Sequence, residues 1–223
     1  MITQDGDAGV TGMLGGKQLS AIAGGARVQF SALTFRGGGF VKGFVFTEFL
    51  DMASDTFSPE VVEQVLDMSD LESEGAYTTV GTYSPAEMNT LVGNLSQVTG
   101  IPSRDLVMAL GRHLFAQFTV KFPQFLQGHS TVMEFLPRVD SYVHLEVRKL
   151  YPDAELPQFD CVALDPDTMQ MTYRSSRHLA DLAEGLLEGC GHHFGEDFAI
   201  ERTPDPDDPD TVVFTLARRS SDG

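Results

Sequence analysis

A short segment of the chain places three hydrogen-bond donors at a spacing of two residues. Tyr173, Ser175 and Arg177 follow Met169 and Met171 in the stretch MQMTYRSSR, and in a β-strand every second side chain lies on the same face. The methionines indicate that this face is buried. Buried donors require acceptors, and a guanidinium pairs bidentately with a carboxylate, so the trio predicts a dicarboxylate or diphosphate ligand. The alternative is that the strand frays here and Arg177 reaches a surface Asp or Glu.

His144 is the histidine best placed to bind a metal ion. It belongs to a helical segment whose apolar stripe is formed by Val139, Val143, Val147 and Leu150, and it lies beside that stripe rather than in a turn. Imidazole is a common metal ligand, so His144 is the best candidate for an iron ligand. From the pattern alone, a structural histidine without a ligand stays open as the alternative.

A zinc site is a second option, because Cys161, Cys190, His192 and His193 provide two thiols and two imidazoles. Their spacing is not diagnostic. The chain has no G-x-S-x-G, P-loop, H-E-x-x-H or C-x-x-C motif, so none of the enzyme classes with these motifs is predicted. Two cysteines form no disulfide framework, which is typical of a reducing cytoplasm, although one disulfide between them stays open.

The charge and hydropathy of the chain argue against two kinds of partner. The sequence holds 32 acidic and 15 basic residues, a formal net charge of -17, which opposes contact with a phosphate backbone. No apolar run reaches the roughly 18 residues that a transmembrane helix needs. We therefore expect a soluble cytoplasmic protein that binds neither nucleic acid nor a membrane.

Helix start and stop signals predict a helical first half. Ser58 before Pro59 and Ser84 before Pro85 are typical of capped helix starts, and Gly100 is typical of a helix end. Further helices are predicted from residue 41, from Ser103 to just before Pro123, and in two pieces that meet near Pro137 and end before Pro152.

The second half changes to a strand pattern. Residues 157–177 predict two strands joined by a DPDT turn, a helix follows over residues 178–194, and residues 197–219 predict a second hairpin. The predicted class is α+β, with helices first and an antiparallel sheet later. Residues 1–40 are rich in Gly and Ala and lack periodicity, so we expect a flexible extension before a domain at 41–223. VKGFVFTEFL resembles a native domain beginning, which suggests the hypothesis that translation starts at Val41.

Several separated motifs together resemble the haem nitric oxide/oxygen-binding (H-NOX) family, which includes the haem domain of soluble guanylate cyclase. The stretch YRSSR from Tyr173 to Arg177 matches the family signature Y-x-S-x-R, and His144 lies 29 residues before Tyr173, at the position of the proximal histidine. Pro157 matches the proline that presses on the haem plane. VKGFVFTEFL and GRHLFAQFTVKFPQFL resemble the first helix and the GR…F…FP helix. The resemblance covers roughly residues 41–201.

The resemblance implies a helical distal lobe and a proximal lobe with an antiparallel sheet, with haem b between them. It implies that His144 is the axial ligand of the iron and that Tyr173, Ser175 and Arg177 bind the propionates. The residues that map onto the distal wall are all apolar, namely Val45, Phe49, Leu114, Phe118 and Leu182.

The resemblance also implies a ligand and a mechanism. Oxygen-binding members carry a distal tyrosine where Leu182 stands, and bound dioxygen needs a hydrogen-bond donor that nitric oxide (NO) does not need. We therefore expect stable binding of NO and CO and no stable oxygen complex. NO is expected to weaken the bond between iron and His144 and to change the conformation of a monomeric, non-enzymatic sensor. The partner expected for such a domain is a separate histidine kinase or diguanylate cyclase.

Two other classes stay open. A haem enzyme or carrier needs a distal acid-base residue, and the candidates are Arg112 and His113, which helical geometry turns by about 100° or more from Leu114. A zinc-stabilised interaction domain is the third class. Zinc-bearing members of the family place further cysteines towards the C-terminus, whereas this chain has none after Cys190.

Overall fold

The computed structural model describes residues 41–150 and 156–219. The flexible extension expected for residues 1–40 and the helix end expected before Pro152 lie outside the described residues. Within these ranges, no helix is both long and apolar enough to cross a membrane.

The first half is helical, as predicted, and also contains a two-stranded sheet that was not predicted. Strand β1 (Val41–Lys42) pairs antiparallel with β2 (Thr82–Tyr83). The helices of this half are α1 (Gly43–Thr56), α2 (Pro59–Asp67), α3 (Pro85–Thr99) and α4 (Ser103–Lys121).

The boundaries of α2 and α3 follow from their capping residues. Ser58 Oγ accepts a hydrogen bond from the backbone N–H of Val61 at the start of α2, and Ser84 Oγ accepts one from the N–H of Ala86 at the start of α3. Gly100 ends α3 with a φ of 74°, a left-handed conformation that favours glycine. The predicted starts and this end are confirmed.

The second half combines three helices with an antiparallel sheet. The helices are α5 (Val132–Arg138), α6 (His144–Leu150) and α7 (Ala180–Phe194). The strands are β3 (Gln158–Asp165), β4 (Thr168–Arg174), β5 (Phe198–Pro204) and β6 (Thr211–Arg218). The strand order is β3-β4-β6-β5, and each neighbouring pair is antiparallel. Both predicted hairpins and the α+β class are confirmed.

The two helical pieces predicted to meet near Pro137 are confirmed, because α5 ends at Arg138, one residue after the proline, and a helical segment of another type begins at Val139. Pro137 lies inside α5, and the residues Val139–Val143 form a π turn that leads directly into α6. The backbone N–H of His144 donates to the carbonyl of Val139, five residues back. Pro137 itself cannot donate a bond to the carbonyl four residues before it, so its direct effect falls on the preceding turn, whereas the π turn follows it. Such π turns occur frequently at functional sites.

Two hydrophobic clusters form the core. The first cluster is built mainly by α1, α3 and α4 and contains the fully buried Phe46 and Leu110. The second cluster lies between the sheet, α5 and α7 and contains Met171 and Phe214. Both clusters belong to one compact unit of the chain.

Helices α4 and α7 approach each other backbone to backbone. A Cβ atom on Gly111 would lie 2.5 Å from the carbonyl oxygen of Leu182, and one on Gly185 would lie 2.8 Å from the carbonyl carbon of Met108. The two glycines therefore allow a separation that other residues would prevent. This contact joins the first cluster to the helix that packs on the second.

Candidate functional site

A cavity of about 340 Å³ is bounded by both hydrophobic clusters. Phe118 and Leu182 line it from the side of the first cluster, and Met171 and Leu187 line it from the second. Ligand pockets typically enclose about 300–1,000 Å³ and combine apolar walls with a few polar groups. The size and lining of this cavity are those of a cofactor site.

His144 lines the cavity from the first position of α6. The residue is 8% exposed, and its ring centroid lies 5.2 Å from that of Phe159 on β3. Burial lowers the pKa of His144, while hydrogen bonds to the carboxylate of Asp140 and the backbone of Pro157 act in the opposite direction. A neutral imidazole is the form that binds a metal ion, so this environment suits a ligand.

Tyr173 lies on the inward face of β4, as predicted, and is 2% exposed. Burial raises the pKa of Tyr173, whereas a hydrogen bond with Ser175 and the charge of Arg177 oppose this effect. The side chains of Tyr173, Ser175 and Arg177 line the same cavity as His144. Together they present hydroxyl donors and a positive charge to an anionic ligand.

The prediction that Ser175 and Arg177 continue the face of the strand is wrong, because β4 ends at Arg174. The N–H of Ser175 still donates to the carbonyl of Asp210 at 2.8 Å, but the N–H of Arg177 donates to Ser175 Oγ at 3.2 Å. His178 then adopts a φ of 52°. A side-chain-stabilised turn, rather than strand alternation, therefore brings both residues to the cavity.

Four of the five residues predicted for the distal wall line the cavity, and the fifth does not. Val45 lines it from α1, Leu114 and Phe118 from α4, and Leu182 from α7. Phe49 is fully buried in the first cluster and is not part of the lining. It lies one helical turn, roughly 6 Å, beyond Val45 along α1, and the cavity does not extend that far.

Lys42, Phe159 and Asp140 are among the residues at or near the cavity that the sequence prediction missed. Lys42 lines it from β1, and Phe159 lines it from β3 beside His144. Asp140 Oδ1 lies 3.3 Å from His144 Nδ1. Phe159 faces Tyr173 across the β3-β4 pair, so strand register signals its position, and Asp140 is signalled by its four-residue spacing from His144. Nothing in the sequence pattern points to Lys42.

The two residues that an acid-base role would require point away from the cavity. His113 Nε2 lies 2.9 Å from Oε2 of the buried Glu48, and Arg112 pairs with Glu188. Neither lines the cavity beside Leu114. The geometry therefore offers no distal acid or base at the positions that the haem-enzyme alternative proposed.

The structure does not assemble the zinc site considered for Cys161, Cys190, His192 and His193. Both cysteines are free thiols, with Cys190 buried in α7 and Cys161 partly buried in β3. In the part of the chain that the structure describes, no group of three or more His, Cys, Asp or Glu side chains could hold a metal ion.

The donor set of the cavity fits a haem. A haem requires apolar contacts for its macrocycle, an axial ligand for its iron and hydrogen-bond donors for its propionates. The cavity provides apolar walls, the imidazole of His144 and the cluster of Tyr173, Ser175 and Arg177. Pro157 also lines it and contacts His144 through its backbone.

Comparisons with known proteins agree with this chemistry. A family model described as haem-NO-binding matches residues 42–202. The ferrous unliganded H-NOX protein from K. algicida is 35% identical, with a TM-score of 0.75 and coverage of 82% of this chain and 99% of that chain. The H-NOX from Shewanella woodyi, solved in the Fe(II)CO ligation state, is 38% identical, with a TM-score of 0.72 and coverage of 82% and 97%. No curated protein matches the chain.

A more distant structure shares the fold alone. It is an oxygen-binding H-NOX domain related to soluble guanylate cyclases, solved as an oxygen complex, and is 22% identical with a TM-score of 0.67. It covers 81% of this chain and 96% of its own. Because the family model spans most of the chain and two solved relatives exceed 30% identity over about four fifths of it, this chain belongs to the haem-NO-binding (H-NOX) family of haem-based gas sensors.

Proposed function

We propose that this protein is a nitric oxide sensor that binds haem b with His144 as the ligand of the iron. Tyr173, Ser175 and Arg177 bind the propionates, and Pro157 lies against the haem plane. The observation that carries the proposal is that a single cavity is lined by all five of these residues. The relatives solved as ferrous and Fe(II)CO proteins support a ferrous haem that takes a diatomic gas.

The apolar wall supports NO and CO rather than dioxygen as stable ligands. Val45, Leu114, Phe118 and Leu182 supply no hydrogen-bond donor to the cavity. Dioxygen bound to iron takes on negative charge and is retained by a donor, whereas NO on ferrous iron is not dependent on one. We therefore expect the protein to form a stable complex with NO and no stable complex with oxygen in air.

The position of His144 supports a conformational response. His144 would hold the haem, which would supply the ferrous iron for NO, and NO binding would weaken the bond to His144. His144 begins α6 directly after the π turn Val139–Val143, so its release would let both segments move against Phe159 on β3. The states with and without the bond between His144 and the iron would differ in their affinity for NO. A ligand can shift a conformational equilibrium only through such a difference in affinity.

The moved surface would regulate a separate protein. We propose a histidine kinase or a diguanylate cyclase as that partner, and a monomeric cytoplasmic sensor with its domain at residues 41–223. The sensor itself carries out no catalysis in this proposal. The distal positions Arg112 and His113, which a catalytic role would use, are paired with Glu188 and Glu48 outside the cavity.

A substitution of Leu182 tests the choice of ligand. Leu182→Tyr introduces a hydroxyl donor into the wall, and Leu182→Phe is the matched control that adds a ring without the hydroxyl. We expect the ferrous wild type and Leu182→Phe to show no lasting oxygen complex in air by absorption spectroscopy, and Leu182→Tyr to lose oxygen more slowly. A persistent oxygen complex in the wild type would overturn the assignment to NO.

A further inference from the structure

The π turn before His144 brings a carboxylate to the imidazole. Asp140 lies four residues before His144, and its Oδ1 is 3.3 Å from His144 Nδ1. The π turn Val139–Val143 contains Asp140 and ends directly at His144. The carboxylate and the predicted iron ligand are therefore held by the same turn of backbone.

The two side chains differ in their contact with water. The His144 side chain is 10% exposed, whereas that of Asp140 is 41% exposed. Asp140 thus keeps part of its hydration and does not incur the full desolvation penalty of a buried charge. The pair joins an imidazole inside the cavity to a carboxylate at the surface.

Other charged groups also act on this neighbourhood. The charge of Arg148 on α6 lowers the pKa of the His144 imidazole, whereas Asp140 raises it. On the facing strand β3, burial raises the pKa of Cys161, and the charges of Asp160 and Asp140 add to this effect. Asp140 and Asp160 therefore place two carboxylates near the same strand, but the contact with His144 is made by Asp140.

The chemistry of imidazole gives this contact a consequence. A hydrogen bond donated by Nδ1–H leaves the lone pair of Nε2 available for a metal ion. An anionic acceptor also draws the Nδ1 proton and increases the basicity of the ring, which strengthens the bond between Nε2 and the metal. The first effect needs only a hydrogen-bond acceptor, whereas the second is greatest for an anionic one.

We propose that Asp140 is a positioning residue that fixes the tautomer and orientation of His144 and strengthens its bond to the haem iron. This inference rests on the proposed function. Asp140 thereby sets the strength of the bond between His144 and the iron, which has to break when NO releases His144. Removal of its charge gives a sensor that releases His144 more readily and retains haem less well.

Charge-removing variants test the inference. Asp140→Asn and Asp140→Ala are compared with Asp160→Asn, which removes one negative charge from the same neighbourhood without touching His144. The readouts are the iron-histidine stretching frequency of the ferrous protein by resonance Raman spectroscopy and the rate of haem transfer to excess apomyoglobin. We expect both Asp140 variants to lower the frequency and to lose haem about tenfold faster. Asp160→Asn should match the wild type, and Asp140→Glu should restore part of the frequency.

The outcomes separate this inference from the proposed function. Wild-type frequency and haem retention in folded Asp140→Asn, as judged by circular dichroism, would overturn the role of Asp140 while leaving His144 as the ligand. An equal change in Asp160→Asn would also overturn it, because the effect would then be one of general charge. A wild type without an iron-histidine band would instead contradict the proposed function itself.

Discussion

Arg177 lines the cavity, and we propose that it supplies the positive charge for the carboxylates of a haem. In Arg177→Ala a propionate beside Tyr173 loses its charged partner, at a cost of about 1–3 kcal/mol, which corresponds to roughly 5- to 150-fold faster haem loss. Arg174→Ala is the matched control, because Arg174 is an exposed arginine three residues earlier. Haem transfer to apomyoglobin measures both variants. Equal rates for the two would show that Arg177 does not bind the cofactor.

Cys161 provides a pH-dependent test of the packing of β3. Burial, with added repulsion from Asp160 and Asp140, raises the pKa of Cys161 from 9.0 to about 11. Between pH 9 and about 11 the folded state keeps the thiol proton, whereas the unfolded state loses it. Burial of the protonated thiol therefore contributes fully to the free energy of unfolding below pH 9, and this contribution is lost as the pH rises to about 11. The alkylation rate of Cys161, followed by peptide mass spectrometry, should rise until about pH 11 in the folded protein. A plateau near pH 9 in the folded protein, as expected in urea, would contradict the burial of this thiol.

Residue types, the 29-residue spacing between His144 and Tyr173, and the family resemblance predicted the polar side chains of the site better than the apolar pattern predicted the depth of its wall. His144, Tyr173 and Arg177 have types that need a partner when buried, and their spacing constrains where they meet. Phe49 was wrongly placed on the wall because an apolar residue on α1 serves a protein core and a cavity equally well. Asp140 was missed because one Asp four residues before a His is common on helix surfaces.

At the scale of elements, the contact of α4 with α7 depends on two glycines. In Gly185→Ala the new methyl group would meet the backbone of Met108, so the helices have to separate, at an expected cost of about 1–3 kcal/mol. Gly93→Ala is the matched control, because a Cβ on Gly93 in α3 would meet nothing within 4 Å and should stabilise the helix by roughly 0.5–1 kcal/mol. Thermal unfolding measures both changes. If Gly185→Ala were as stable as Gly93→Ala, α4 and α7 could move apart without a loss of stability, which would contradict the need for glycine at this contact.

Periodicity and capping signals predicted most elements, and the exceptions have physical reasons. Ser58, Ser84 and Gly100 act through their immediate neighbours, so a sequence window contains the whole signal. The turn after β4 depends on Ser175, whose own Oγ accepts the N–H of Arg177 and competes with strand continuation. The π turn Val139–Val143 carries no capping or periodicity signal of its own, so the sequence pattern did not predict it.

At the scale of the whole molecule, the cavity is shared by two hydrophobic clusters. The change from helical to strand periodicity predicted the α+β order of these parts. Pairing of the clusters around one cavity could not be derived from periodicity, because it depends on contacts between distant segments such as α4 and α7. The family resemblance supplied that expectation, and the positions of His144 on one side and Leu182 on α7 agree with it.

We propose above all that His144 binds the iron of a haem that responds to NO. The most direct test is the absorption spectrum of the purified ferrous protein, with and without NO, for the wild type and for His144→Ala. We expect the wild type to contain haem and to change its spectrum with NO, and His144→Ala to lose haem or to show an altered ferrous spectrum that added imidazole restores. A His144→Ala protein with the haem content and spectra of the wild type would show that His144 is not the iron ligand.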